Sequence, residues 1–489
     1  MKLLPLANRS TVFAFLLALG FASSLVSVSS AAVAQSESPA AIAPPQPDAS
    51  KLLEAAKAQQ AAQEKLYRQG EDKAKSANYR GAMESYNQAL QINPNFAQGY
   101  VARGVARSNI GDQAGALQDF DQAIKLDSSD AIAYAQRGTT QFSVGNAAEA
   151  MTDLNKALEL NPALTAAYVN RGHVRSQSND RDGAIADFDQ ALRLQPSYAP
   201  ALLNRGFVYL TKGNQQAALN DFDQAVKLQP NYAEAFLSRG TLHHQTNEDD
   251  AAVADFTQAI RFNPNYVSAY YNRGLTHSKL GNLEAAQADF TKVAQLNPDN
   301  PEVFLQRGQV QAALEDPQSA IADYNQALKL KPNYAEALKS RGDLLTTIGD
   351  KQGALNDYNQ AVQVQSNFAS AYTGRADMRS QMGDQQGAIA DYSQAVSLNT
   401  EDAKAYEKRG KVKMDLGDMR GAIADFSQTL RIDTRVADAH YYRGVLLAQM
   451  DSRPEAIADL REASELYRQQ GQADGYRNAL NQISQLKSR

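Results

Sequence analysis

Between residues 63 and 470 the small and apolar positions return with a fixed period of 34 residues. Ala82…Tyr86…Ala89 recurs as Ala116…Phe120…Ala123, Ala150…Leu154…Ala157 and Ala184…Phe188…Ala191, and the series runs on to Ala456…Leu460…Ala463 without insertion or deletion. With each repeat numbered 1 to 34 from Gln63, these residues fall at positions 20, 24 and 27, and further small or apolar residues fall at positions 4 and 8. Spacings of three and four put them on one helical face in each half of the repeat. Position 15 is often Gly, as at Gly111, Gly145, Gly213 and Gly281, which suits a left-handed helix end. Position 16 is Asn, Asp or Ser in eleven of twelve repeats, with Glu248 the exception, and these are N-cap residues. Pro at position 32, as at Pro94, Pro162 and Pro196, stops the second helix. The Asn or Ser that often follows is a candidate cap for the next one. The pattern predicts helix, tight turn, helix, twelve times over residues 63–470. One such hairpin cannot bury its own apolar face, so a strict period of this length predicts a stacked solenoid.

The repeat resembles the tetratricopeptide repeat. That family carries an aromatic at position 4, Gly at 8, Ala at 20, an aromatic at 24, Ala at 27 and Pro at 32, matched here by Tyr270, Gly274, Ala286, Phe290 and Pro298. The resemblance implies an all-α fold: a right-handed α-α superhelical solenoid of about twelve 34-residue helix-turn-helix repeats with a C-terminal capping helix. Tyr, Phe or Leu replaces the family's frequent Trp. Ala376 stands where Gly is expected, and Pro is lost at position 32 from Ser366 onward, which predicts less regular packing of the late repeats. The first repeat is atypical, with Gln69 and Lys73 at inward positions, as suits a terminus that faces water. The tail carries one apolar face, Tyr476…Leu480…Ile483…Leu486, and reads as the capping helix over 471–489.

The segments before the repeats differ in kind. Residues 1–34 run from Lys2 and Arg9 through an apolar stretch to Ala32-Val33-Ala34, the order of a secretory signal peptide. The expected location is outside the cytoplasm, in a periplasm or equivalent lumen, with membrane attachment only if the leader stays uncleaved. Residues 35–50 hold four prolines among Ala, Ser and Gln and read as a flexible linker. Residues 51–62 read as an N-terminal helical extension to the twelve repeats.

Position 7 is Arg and position 23 is Asp in the same eleven repeats. The pairs include Arg103 with Asp119, Arg171 with Asp187 and Arg273 with Asp289. Both positions lie equally far from the turn at position 15, which in an antiparallel hairpin brings them to one height. The spacing predicts ion pairs, within a repeat or between neighbours, that fix register. The competing reading is an arginine ladder for an acidic ligand.

Composition then narrows the chemistry. Zero cysteines exclude disulfide scaffolds, iron–sulfur clusters and thiol nucleophiles. Forty-nine Lys and Arg against 54 Asp and Glu give no basic excess for nucleic acid. The five histidines complete no tetrahedral metal set, and no phosphate loop or nucleophile elbow occurs. The expectation is a non-enzymatic scaffold without cofactor or metal.

In the resembled family, first helices line a groove and ligands touch positions 2, 5, 6, 9, 12 and 13. Carried over, that implies contacts from Val101, Val105, Phe142, Val169, Leu203, Phe207, Leu210, Leu237, Tyr271 and Leu275. Amides at position 6, namely Asn170, Asn204 and Asn272, can grip an extended backbone without reading its sequence. Late repeats instead present Lys339, Asp343, Asp377, Lys404, Glu407, Lys408 and Lys411. The expected partner is a protein or peptide segment. The alternatives are an envelope assembly or tethering factor acting through the convex face, or a glycan-binding module.

Overall fold

The computed structural model describes residues 49–488. The leader expected over 1–34 and nearly all of the linker expected over 35–50 lie outside the described residues. The expected extension is the opening of a single helix of 27 residues, Ala49–Lys75, that runs unbroken into the first repeat.

Among the described residues there are 25 α-helices and no strand, and the helices fall in consecutive antiparallel pairs. The chain forms two compact units that divide between Ala269 and Tyr270, inside the helix Val267–Lys279. The N-terminal unit pairs Ala49–Lys75 with Tyr79–Ile92, Ala97–Asn109 with Gln113–Leu126, Ala131–Ser143 with Ala147–Leu160, Thr165–Gln177 with Arg181–Leu194, Ala199–Thr211 with Gln215–Leu228, and Ala233–Gln245 with Asp249–Phe262. The C-terminal unit contains Leu283–Leu296 and then pairs Pro301–Ala313 with Pro317–Leu330, Ala335–Thr347 with Lys351–Val364, Ala369–Gln381 with Gln385–Leu398, Ala403–Asp415 with Met419–Ile432, and Ala437–Gln449 with Arg453–Gln469. Ala473–Ser488 closes it. No described helix is long and apolar enough to cross a membrane.

The turn residues act as their chemistry demands. Position 15 is left-handed in every repeat, with φ between 77° and 96° at its glycines and between 59° and 65° at Ala77, Asn179, Asn247, Glu315 and Asp451. Eight of the position-16 side chains cap the second helix through the backbone N–H three residues on, as Asp112 does for Gly115 at 2.9 Å. Asn146, Glu248, Asn282 and Ser452 make no such bond.

The cap expected just after the proline is not there. The first helix begins one residue later; Asp130, Asn300 and Asp402 cap it there through their side chains, but Phe96, Leu164, Tyr198, Tyr232, Tyr334 and Phe368 accept no cap bond. These residues are apolar anchors instead: Tyr198 and Tyr232 sit in the core with 8% and 7% exposure. A different turn ends the second helix. Where the residue before the proline is Asn93, Asn161 or Asn263, it folds its side chain onto the N–H two residues on, as Asn93 does for Asn95 at 3.0 Å. Asn399 and Asp433 make the same bond where the proline is missing. The late repeats therefore keep the same 13- and 14-residue helices, and the expected loss of regularity does not occur. Only the last second helix, with Arg468 at position 32, runs on to Gln469.

The core follows the repeat. Every position-20 Ala is fully buried, and each position-24 ring or Leu lies beside it at 3% exposure or less. Position 8 must be small because that side chain crosses it. A Cβ on Gly206 would stand 2.5 Å from the Phe222 ring, and one on Gly104 would stand 2.7 Å from Phe120. Two further columns were not among the sequence expectations. Position 3 and position 10, such as Ala133, Ala201, Val174 and Val208, are buried between successive repeats. At the ends, Gln69 is exposed rather than inward, and in the closing helix Ala479 is buried while Leu480 is 42% exposed.

Two outcomes follow for stability. A left-handed residue with a Cβ costs about 1–2 kcal/mol relative to glycine. Glu315→Gly and Ala77→Gly are expected to stabilise by about 0.5–1 kcal/mol after the added chain entropy of glycine, read as a higher urea midpoint. Gly206→Ala is expected to destabilise by about 1–3 kcal/mol through overpacking against Phe222. An unchanged midpoint for Gly206→Ala would contradict the close approach.

Candidate functional site: the first-helix face

Within each unit, successive first helices pack on one another as well as on their own partners, so they make the inner face of the stack. What holds them in place is the repeated Arg and Asp. In all eleven repeats the Arg donates from Nε and Nη2 to both oxygens of the Asp 16 residues on; for Arg171 and Asp187 the distances are 3.0 and 2.7 Å. The expected pairing, including Arg103 with Asp119 and Arg273 with Asp289, is thus inside each hairpin. The Arg also reaches backwards. Nη1 donates to position 25 of the preceding repeat: Asn87 for Arg103 at 2.7 Å, Asp121 for Arg137 at 2.7 Å and Asn155 for Arg171 at 2.8 Å.

A second cation often joins the Asp from position 11. Arg107, Arg175, Arg379 and Lys413 approach Asp119, Asp187, Asp391 and Asp425 at 2.8 to 3.2 Å. Position 4 adds a ring beneath the guanidinium, as Tyr100 does for Arg103 at 5.2 Å. Donation to Asp153, Asp221 and Asp255 holds Arg137, Arg205 and Arg239 above the usual arginine range. The arginines are therefore consumed by the fold and form no anion ladder. The first repeat, with no Arg or Asp at these positions, substitutes Lys73, which donates to Ser85 Oγ at 3.0 Å.

The structure divides the expected contacts into two groups. Leu203, Leu237, Tyr271, Asn272 and Leu275 are buried, at 3% exposure or less, as are Val101 and Val169. A partner cannot touch them in this state. The reason is the close stacking of first helices: position 5 packs against the small position-3 residue of the next repeat, so that Val169 shares a cluster with Ala201, and Leu203 with Ala235. The second group is half-buried and reachable: Val105, Phe142, Asn170, Asn204, Phe207 and Leu210. Thr139 and His173 join them at position 9. The signal that could have found these two was the position-9 column, one helical turn beyond the buried position 5.

Neighbouring side chains on this face are tied together. Asn170 donates to Thr139 of the preceding repeat at 2.7 Å, and Asn204 donates to the Pro200 carbonyl at 2.8 Å. The rings of Phe142 and His173 meet edge to face at 5.5 Å, as do those of Phe207 and Phe222. Burial pushes His173 below the usual histidine range, outweighing the hydrogen bond it makes to the Asn204 side chain, so its ring is uncharged at neutral pH.

The C-terminal unit carries charge on the same face; Lys404 is exposed, and most of the other charges pair among themselves. Lys339 lies 2.5 Å from Asp343, Lys408 lies 2.6 Å from Asp377, and Lys411 bridges Glu407 and Asp438 at 2.5 and 2.9 Å. The buried tyrosines at position 24 serve this network. Tyr358 donates to Asp343 at 2.8 Å and Tyr392 to Asp377 at 2.5 Å, where eight of the other repeats have Phe or Leu and two have Tyr86 and Tyr324. The histidines are structural in their contacts: His243 meets Glu248 at 2.6 Å, and His440 meets Asp459 at 2.9 Å. No group of three metal-ligating side chains exists among the described residues.

Stacked helical hairpins of 34 residues, keyed by small residues at 8 and 20 and an aromatic at 24, define a helical-repeat scaffold. The chain belongs to the tetratricopeptide-repeat family. Models described as "TPR repeat" match residues 172–213, 208–247, 240–281 and 376–417, and models described as "Tetratricopeptide repeat" match 131–164, 267–300, 305–374 and 407–471. No curated protein matches. Among solved structures, the chain is similar to YrrB, a TPR protein with an unusual peptide-binding site, at 26% identity over 38% of this chain and 97% of that one, with a TM-score of 0.35. It is also similar to yeast Tom70, at 17% identity over 83% and 100% with a TM-score of 0.38. For Pseudomonas aeruginosa pilF the identity is 22% over 44% and 98%, with a TM-score of 0.41.

The pairing makes two predictions. Arg205→Met strands the buried Asp221, which no second cation reaches among the described residues, and is expected to destabilise by about 3–5 kcal/mol, whereas the same change at exposed Lys227 is expected to do almost nothing. Equal urea midpoints for the two variants would refute the pairing. At the C-terminal end, burial alone would raise the Asp459 carboxyl, but donation from Arg443 and His440 outweighs it and holds the group below its ordinary 3.8. Its contribution is thus fully present above that pH and is lost as pH falls through the lower folded value. Asp459→Asn is expected to flatten the acid-induced loss of stability below about pH 4 in a melting series.

Proposed function

We propose that the protein is an exported, non-enzymatic scaffold that holds a protein or peptide segment on the first-helix face of its N-terminal unit. Tetratricopeptide-repeat proteins are in general non-enzymatic and bind protein or peptide partners. The observation that carries the reading is the row Val105, Phe142, Phe207 and Leu210: apolar side chains that the stack leaves partly open, set among the amides Asn170 and Asn204. Contiguous apolar surface of this kind marks interaction sites. Many small contacts on rigid helices sum to affinity with little ordering cost. Export is supported by the order of charged, apolar and small residues in 1–34.

A second reading, assembly or tethering, is favoured by a different row. Leu280, Ile348, Met382, Leu416 and Met450, all at position 14 beside the turn, are 40–48% exposed in the C-terminal unit.

Affinity capture from envelope extract separates the two. Phe142→Asp with Leu210→Asp is expected to lose the wild-type partner while keeping its helical circular dichroism and melting midpoint. Ile348→Ser with Met382→Ser is expected to retain it. The opposite result would transfer the function to the turn edge.

A further inference from the structure

The inner faces of the two units differ in charge far more than in shape of repeat. The five first helices from Ala97–Asn109 to Ala233–Gln245 place thirty residues at positions 2, 5, 6, 9, 12 and 13, and among them only Glu234 is an acid and none is Lys or Arg. The five from Pro301–Ala313 to Ala437–Gln449 place eleven charged residues in the same thirty positions. Charged residues are 21% of the chain, so a neutral face five helices wide is a real depletion.

Apart from Glu234, whose carboxyl is pushed above its ordinary range by burial, the ionisable groups that could still charge the first face are paired or neutral. Arg103, Arg137, Arg171, Arg205 and Arg239 are each locked on an Asp. Arg107 and Arg175 sit on Asp119 and Asp187. His244 lies 2.9 Å from Asp249, and His173 is uncharged at neutral pH.

We infer that the first-helix face of the N-terminal unit selects an uncharged, apolar, extended peptide segment and rejects segments bearing Lys, Arg, Asp or Glu. This rests on the groove-binding reading above and adds the chemistry of the occupant. A charge entering the face would lose water and find little opposite charge, because the cations nearby are already paired and the one acid without an ion pair, Glu234 on the last of the five helices, is itself disfavoured as an anion by burial. An uncharged segment meets no such penalty. Its apolar side chains have Val105, Phe142, Phe207 and Leu210 to cover, and its backbone has the hydroxyl and amide groups of Ser108, Asn109, Asn170 and Ser176. Helices packed about 9–10 Å apart make five of them about 40 Å wide. That is the length of about twelve extended residues.

The probe is a fluorescent twelve-residue peptide of alternating leucine with serine or asparagine, acetylated and amidated so that its ends carry no charge. Two companions replace two asparagines with lysine or with glutamate. Anisotropy on the full chain is expected to show binding of the neutral probe that does not change between 50 and 500 mM salt, and at least tenfold weaker binding of both charged probes. Ser108→Lys with Ser176→Lys adds charge without removing packing. It is expected to weaken the neutral probe and improve the glutamate probe, while Lys408→Met changes neither. If the charged probes bind as tightly as the neutral one, the selectivity is wrong although the groove reading stands. If the neutral probe binds but ignores Ser108→Lys with Ser176→Lys, the site is elsewhere and the inference falls. If none of the three probes binds, both this inference and the peptide-groove reading fall.

Discussion

A carboxylate buried at position 23 must find a cation, and in this protein it finds the same one eleven times. The guanidinium at position 7 meets it with two parallel bonds, a geometry that tolerates little displacement along the helix. A buried pair of this kind adds little net stability over an apolar substitute, but a slipped hairpin would strand both charges. The third nitrogen extends the constraint to the repeat before it, through Asn87, Asp121 or Asn155. Register inside a hairpin and register between hairpins therefore depend on one side chain.

That fixed register is why a regular face exists at all. With position 7 locked, position 5 of the four first helices from Ala97–Asn109 to Ala199–Thr211 turns into the seam between first helices and disappears there, while their positions 9 and 12 come round to the open side. The C-terminal unit uses the same frame for another end. Its open positions carry lysines and carboxylates that satisfy each other, and its buried tyrosines reach out to hold those carboxylates in place. Two surfaces of contrasting chemistry thus arise from one backbone plan, because the keyed core positions leave the open ones free to vary.

Much of this was legible in the residues. The Ala, Gly and aromatic columns define two helices and their contact, since only small residues admit a ring at position 24. The left-handed turn was readable from Gly111, Gly145 and Gly213, and the structure adds that Ala77 and Glu315 take the same conformation against their preference. The pairing of Arg and Asp was readable from equal distance to the turn. What was not readable was the depth of position 5. Leu203 and Phe207 look alike as apolar residues one turn apart, and only the approach of the next first helix buries one and spares the other. The caps after the prolines were misplaced for a related reason: Tyr198 and Tyr232 are useful there as core anchors, which a local capping rule does not weigh.

The sequence by itself determined the hairpin, its length, its turn and its internal ion pair. Each of these depends on spacings within one repeat of 34 residues, and helical periodicity and side-chain size decide them locally. The tertiary structure alone decided which residues remain accessible and where the third guanidinium nitrogen goes. Those outcomes are set by the distance between one repeat and the next, a property of packed surfaces that no single repeat contains.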